Sequence, residues 1–134
     1  MSCIINPVKE DQCVFLTYEG QTPLVEVIAA RYEAHELLEK KRWNRIVIDI
    51  SQLKSELTSR ALFELASGLS LDLQQSVKVA LVAKPEQTPQ AKFFENMARN
   101  DGIFLTLFSG DDEAAAWVKK KFHHEPGLPR FMIK

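Results

Sequence analysis

The sequence predicts an α/β fold in which a mostly parallel or mixed sheet of four to five strands is covered by about four helices. Three observations lead to this prediction. Short β-branched and aromatic runs alternate along the chain with longer segments of helical spacing. One run, at 45–50, is apolar without alternation, as expected of a strand buried on both faces. The length of 134 residues, 46% of them hydrophobic and 26% charged, corresponds to one globular domain.

The first elements are a strand followed by a helix. Residues 13–18 are β-branched and aromatic and predict a strand that Gly20 ends. Thr22 and Pro23 then open a helix, with Thr22 as its cap and Pro23 at its first position. Apolar side chains near one stripe at 3.6-residue spacing extend this helix to about Lys40.

The alternation continues to the end of the predicted domain. Because strands separated by helix-length crossovers run parallel, these elements predict one sheet with right-handed connections. The apolar pair Ile4 and Ile5 predicts an additional N-terminal strand, which would bring the sheet from four strands to five. The later elements are a helix at 58–70, a strand at 77–83, a helix at 89–100, a strand at 103–108 and a helix that begins at Asp111.

Composition and charge exclude several classes of protein. Seventeen basic and eighteen acidic side chains leave a net charge of -1, which argues against nucleic-acid binding by bulk charge. Two cysteines, Cys3 and Cys13, are too few for a disulfide scaffold. No apolar run approaches the roughly 18–20 residues of a membrane span, and the first residues lack a signal-peptide pattern. We therefore expect a cytoplasmic protein with reduced thiols.

The sequence predicts no catalytic, metal or cofactor site. With five glycines, the chain has neither the G-x-G-x-x-G pattern nor a Walker loop. His123 and His124 are adjacent, so on a helix they would point about 100° apart and could not share a metal. Asp49 lies near a strand end and could act as a general base, but no nucleophile or second carboxylate partners it in the sequence.

The charged residues predict two different edges of the sheet. Strand carboxyl ends and helix amino ends share one edge, and open α/β sheets usually bind ligands there. This carboxyl edge would be acidic and would carry three loops, at 51–59, 84–89 and 109–112. The opposite, amino edge would be basic, with Trp43 beside it. Helix dipoles explain this distribution, and contact with an anionic lipid surface or an acidic protein face is the alternative. The basic residues are Lys40, Lys41, Arg42, Arg45, Lys78, Lys119, Lys120 and Lys121.

The loop before the predicted helix at 58–70 resembles a STAS domain, the fold of bacterial anti-sigma-factor antagonists. In that family a V-L-N-L strand leads through about eight residues into D-S-S-G-L at a helix start. Here 47–50 leads into 57–61 without a gap, although Leu57 replaces the aspartate and Arg60 replaces the glycine. The resemblance implies a non-catalytic module that binds a regulatory, anti-sigma-type protein. Thr58 aligns with the serine that the antagonists have phosphorylated. The candidate residues for partner binding or phosphorylation are Ser55, Thr58, Ser59 and Arg60. The hydroxyls of the first three can also act as simple helix caps.

Other tracts resemble the SpoIIAA-like (STAS/SEC14-type) branch of the same family. These tracts are 48–51, 78–82, 93–94 and 113–117. This resemblance implies an alternative function, the transport of a small hydrophobic ligand or lipid, and an unrecognised enzyme is a second alternative. The pocket of a carrier would be lined by Phe63, Phe93, Phe94, Met97 and Trp117, which could equally fill an ordinary core.

The end of the chain predicts a short C-terminal tail. We expect one STAS-like domain over 1–122 and a tail over 123–134. Phe131, Met132 and Ile133 are apolar and follow a proline-rich turn. They would pack on a neighbouring subunit, giving a homodimer, or fold back on their own domain.

Overall fold

A computed structural model describes residues 3–54 and 77–120 of the chain. The predicted helix at 58–70 and the C-terminal tail lie outside these described residues. The described strands are β1 (Cys3–Val8), β2 (Cys13–Gly20), β3 (Arg45–Leu53), β4 (Lys78–Val82) and β5 (Phe104–Phe108). The described helices are α1 (Leu24–Lys41), a 3-10 turn (Pro85–Gln87), α2 (Thr88–Asn100) and α3 (Asp111–Lys119).

The five strands form one mixed sheet in the order β1-β2-β3-β4-β5. β1 and β2 form an antiparallel hairpin, and β2 to β5 are parallel. Their register aligns Ile48 with Leu81, and Leu81 with Leu107. The α/β prediction with a mixed sheet of up to five strands is thereby confirmed.

Two hydrophobic clusters lie on opposite faces of this sheet, because successive side chains of a strand alternate in direction. Ile46 and Ile48 of β3 join the larger cluster, which α1 and α2 cover. Val47 joins the smaller cluster, which α3 covers through Ala114 and Val118. The central part of β3 is therefore buried on both faces, as its unbroken apolar run predicts.

The start of α1 differs from the prediction. The helix begins at Leu24, and Pro23 occupies the N-cap position without a side-chain cap hydrogen bond. The hydroxyl of Thr22 instead donates to the carbonyl oxygen of Glu19, 2.7 Å away. The prediction that Thr22 caps the helix is wrong, because its buried side chain closes the turn that follows β2. Gly20 enters that turn with a φ of 61°, a conformation that suits glycine.

The amino edge is also less exposed than predicted. Lys78 is 1% exposed, and its Nζ donates to the carbonyl oxygen of Trp117 at 2.7 Å. Arg45 donates to the carbonyl oxygens of Asp11 and Lys119. Lys119 pairs with Asp11 at 3.6 Å. Lys78 therefore does not belong to an exposed basic surface, because its ammonium group is buried and hydrogen-bonded to a carbonyl oxygen near the C-terminus of α3.

Candidate partner-binding edge

The loops that follow β2, β3, β4 and β5 meet at the carboxyl edge of the sheet. The backbone N–H of Lys54 donates to the carbonyl oxygen of Gly20 at 2.8 Å, which joins the ends of β2 and β3. The amide of Gln21 adds a longer bond to the carbonyl oxygen of Lys54. The ends of β2 and β3 therefore lie together at this edge.

Gln87 joins the loop after β4 to the end of β3. Its Nε2 donates to the carbonyl oxygen of Ile50 at 2.7 Å and approaches that of Leu53 at 3.4 Å. Its Oε1 accepts a bond of 3.0 Å from the backbone N–H of Lys84. One half-buried amide thus uses both ends to hold two loops in a fixed relation. Sequence reasoning missed this role, because a single glutamine in a loop carries no periodic signal.

Asp49 of β3 and Asp111 at the start of α3 form a carboxyl pair. Asp49 is buried, and its Oδ1 accepts bonds from the backbone N–H of Ser51 at 2.8 Å and from its hydroxyl at 2.6 Å. A hydrogen bond with Asp49, partial burial and the negative charges of Asp49 and Asp112 together raise the pKa of Asp111 to about 6. Asp111 therefore keeps its proton to a higher pH than an ordinary aspartate does.

The sequence alone offered no partner for Asp49. The fold supplies two partners, Ser51 and Asp111, because β3 runs toward the edge of the sheet at which α3 begins. The hydroxyl of Ser51 is engaged by a carboxylate, and the first turn of α3 adds the exposed side chains of Asp112 and Glu113. Acidic side chains are favourable at a helix N-terminus. The arrangement gives the edge hydroxyl and carboxylate groups that suit recognition by hydrogen bonds and charge.

The predicted partner-binding residues follow directly after Lys54, the last described residue before a gap in the described part of the chain. Lys54 lies at the carboxyl edge, and the next described residue, Val77, precedes β4 at the amino edge. Ser55, Thr58, Ser59 and Arg60 lie outside the described residues, as does Phe63. Their predicted roles remain predictions.

The other pocket candidates do not gather around one cavity. Phe94 of α2 is buried in the larger cluster, with Met97 half-buried one turn later. Phe93 is 40% exposed. Trp117 of α3 lies on the opposite face of the sheet, where the centroid of its ring is 5.3 Å from that of Phe104 and 5.5 Å from that of Phe108. The sheet therefore separates Trp117 from the aromatic residues of α2.

Two chemical features are absent from residues 3–54 and 77–120. No three histidine, cysteine, aspartate or glutamate side chains there are grouped so that they could hold a metal ion. None of the helices described there combines the length and the apolar character that crossing a membrane requires.

Comparison with known proteins identifies the fold. No protein-family model matches the chain, and no curated protein matches it. Among solved structures, it is similar to a crystal structure of an anti-sigma factor antagonist from Mycobacterium paratuberculosis, with a TM-score of 0.64 and 16% sequence identity. The similarity covers 89% of this chain and 94% of that one. The chain therefore has the fold of an anti-sigma factor antagonist, and the predicted STAS-like fold is confirmed.

Proposed function

We propose that the chain is a non-catalytic regulatory module that binds a protein partner at the carboxyl edge, through the segment Ser55–Arg60. The observation that carries this proposal is the position of Lys54. Its backbone N–H is bonded to Gly20 at the carboxyl edge, and the segment follows it directly. The shared fold with an anti-sigma factor antagonist supports a partner of regulatory type.

Two sets of hydrogen bonds support the use of this edge as a rigid recognition surface. Gln87 holds the loop after β4 against the end of β3. The hydrogen bonds of Ser51 to Asp49 hold the backbone that leads toward Lys54. A surface whose loops are held in place loses less conformational entropy when a partner binds.

The charge of the edge supports a switch at Thr58. Asp111, Asp112 and Glu113 already make the start of α3 acidic. A phosphate on Thr58 would add about 1.5 to 2 negative charges to the loop beside this edge. In this proposal the added charge repels the acidic edge and an acidic partner surface, and so controls binding.

The test is a crosslinking experiment in an extract of the source cells. A photoreactive amino acid replaces Thr58 in one protein and the exposed Lys92 of α2 in a matched control. We expect a protein that crosslinks at position 58 and not at position 92. In a separate pull-down, Thr58→Asp with Arg60→Glu should recover at least tenfold less of that protein, because both changes alter the charge of the proposed contact.

Equal recovery of that protein by the wild type and the Thr58→Asp/Arg60→Glu protein would contradict the proposal. So would crosslinks of equal yield at positions 58 and 92. Circular dichroism and the thermal midpoint of the double variant are measured first, so that a loss of binding can be assigned to the surface.

A further inference from the structure

An apolar stripe lies on the outward face of α1. Val25 is 72% exposed and Tyr32 is 53% exposed, with the exposed Ala29 between them. Spacings of four and three residues place the three side chains on one side of the helix, over about 10 Å of its length. Val25 and Tyr32 are two of the four large hydrophobic side chains that are exposed in the described part of the chain.

The fold makes little use of this stripe. The side of α1 that packs on the sheet carries other residues, among them Val27, Ala34 and Leu38. A β-branched residue such as Val25 is also a weaker helix former than lysine or glutamate, which exposed helix positions usually carry. Within the described residues, packing on the sheet therefore does not account for Val25 or for Tyr32, whose ring contacts only His35 of the same helix, at 6.3 Å between centroids.

Acidic side chains surround the stripe. Glu26, Glu33 and Glu36 are exposed, and within residues 3–54 and 77–120 none of the three has an ion pair within 4 Å. Glu39 is 3.7 Å from His35. Arg31 is the one lysine or arginine among residues 24–39, and it is buried. The stripe is therefore an apolar centre with an anionic rim.

We propose that this face of α1 is a second docking surface, and that it binds a basic amphipathic helix of a partner protein. Apolar side chains of that helix would cover Val25, Ala29 and Tyr32, and its lysines or arginines would meet the glutamates. Tyrosine is enriched among the residues that dominate binding energy, which makes Tyr32 the expected anchor. This surface is separate from the carboxyl-edge segment of the proposed function.

Charge argues against two other occupants. An anionic lipid surface would be repelled by the glutamates. A symmetric dimer would place the same patch of two copies face to face and bring Glu33 and Glu36 close to their own copies. A basic protein helix is the occupant that fits both the apolar centre and the rim.

The test uses a designed peptide as the probe. An 18-residue amphipathic helix with leucines on one face and lysines on the other is titrated into the isotope-labelled full chain, and amide shifts are followed by NMR. The control peptide has glutamates in place of the lysines. We expect saturable shifts centred on residues 25–36 with the lysine peptide and none with the glutamate peptide.

Variants then separate this surface from the rest of the molecule. Val25→Ser with Tyr32→Ser should weaken binding of the lysine peptide at least tenfold. Glu33→Lys with Glu36→Lys should do the same without removing an apolar group. Phe93→Ser on α2, which is also exposed, is the matched control and should leave binding unchanged.

Shifts on another face, or equal binding by the Val25→Ser/Tyr32→Ser protein, would overturn the proposal. Sedimentation of the chain alone provides a further test, because a dimer that this double substitution abolishes would assign the face to a second copy. Thr58→Asp with Arg60→Glu should not affect peptide binding, so failure here is distinguishable from failure of the carboxyl-edge proposal.

Discussion

The ammonium group of Lys78 lies 2.7 Å from the carbonyl oxygen of Trp117 and 4.2 Å from the centroid of its ring. Lys78 begins β4, and Trp117 lies in the last turn of α3, where its carbonyl oxygen also accepts a bond of 3.2 Å from the backbone N–H of Lys120. A second carbonyl, that of Lys120, is 3.4 Å from the same nitrogen. A buried cation thus offsets the negative end of the helix dipole and holds α3 on the sheet.

Replacing Lys78 by methionine should destabilise the protein. Lys78→Met keeps the length of the side chain but removes the charged hydrogen bonds and the contact between the cation and the ring. We expect the free energy of unfolding to fall by about 1.5–3 kcal/mol, the range for hydrogen bonds of charged groups. Urea denaturation measures it. Lys92→Met, at a side chain 62% exposed, should change stability by less than about 0.5 kcal/mol, and equal effects would contradict the buried role.

The outer edge of β5 is covered by two side chains of α2. Oε2 of Glu95 accepts a bond of 2.9 Å from the backbone N–H of Leu107, and Nε of Arg99 donates to the carbonyl oxygen of Leu105 at 2.7 Å. Such groups on an uncovered edge strand can pair with another chain. We expect Glu95→Ala with Arg99→Ala to cause association that rises with protein concentration, as measured by light scattering.

The matched control for this edge is Asn96→Ala, at an exposed residue of the same helix. It should stay as dispersed as the wild type. If the Glu95→Ala/Arg99→Ala protein also remains dispersed over a wide concentration range, the two side chains are not what protects the edge.

The pair of Asp49 and Asp111 should make stability depend on pH. The folded state raises the pKa of Asp111 from an ordinary 3.8 to about 6, so between these values the folded protein binds the proton more strongly than the unfolded chain. The contribution of this group therefore falls as pH rises from about 4 to about 6. We expect Asp111→Asn to flatten the dependence of the unfolding free energy on pH in that window.

Two measurements check this prediction. Chemical denaturation at several pH values compares the wild type with Asp111→Asn and with the neighbouring Asp112→Asn, which should keep most of the slope. NMR titration of the Asp111 carboxyl group should give a midpoint near 6. A midpoint near the ordinary value of 3.8 would show that the hydrogen bond to Asp49 does not raise the pKa of Asp111.

The hydrogen bonds by which Gln87 connects two loops can be tested by replacing its amide nitrogen with an oxygen. In Gln87→Glu the bond from Lys84 can persist, but a carboxylate oxygen replaces the donor that faces the carbonyl oxygen of Ile50. We expect a loss of about 1–3 kcal/mol, because a buried acceptor loses its partner. Faster amide hydrogen exchange in the loop after β4 should accompany it. Glu86→Gln, at the exposed neighbouring residue, should have little effect on either measurement.

Much of the fold could be predicted from local pattern. The unbroken apolar run of β3 indicates burial on both faces, because no alternation is needed where neither face meets water. The helix that ends beside Arg42 and the helix that begins at Asp111 follow from local periodicity and the charges at their ends. Thr22 shows the limit of such local rules, since its hydroxyl had a turn carbonyl within reach and bonded to it instead of capping the helix.

Long-range contacts decided the rest. Lys78 and Trp117 are separated by 39 residues, and their contact exists only because α3 crosses back over β4. Asp49 gains Asp111 by the same crossing, and Phe94 and Trp117 are divided by the sheet. Periodicity states which side of an element is buried, but it carries no information on which distant side chain lies against it. Sequence therefore determined the elements and their order, whereas packing in three dimensions decided which charged and aromatic groups meet.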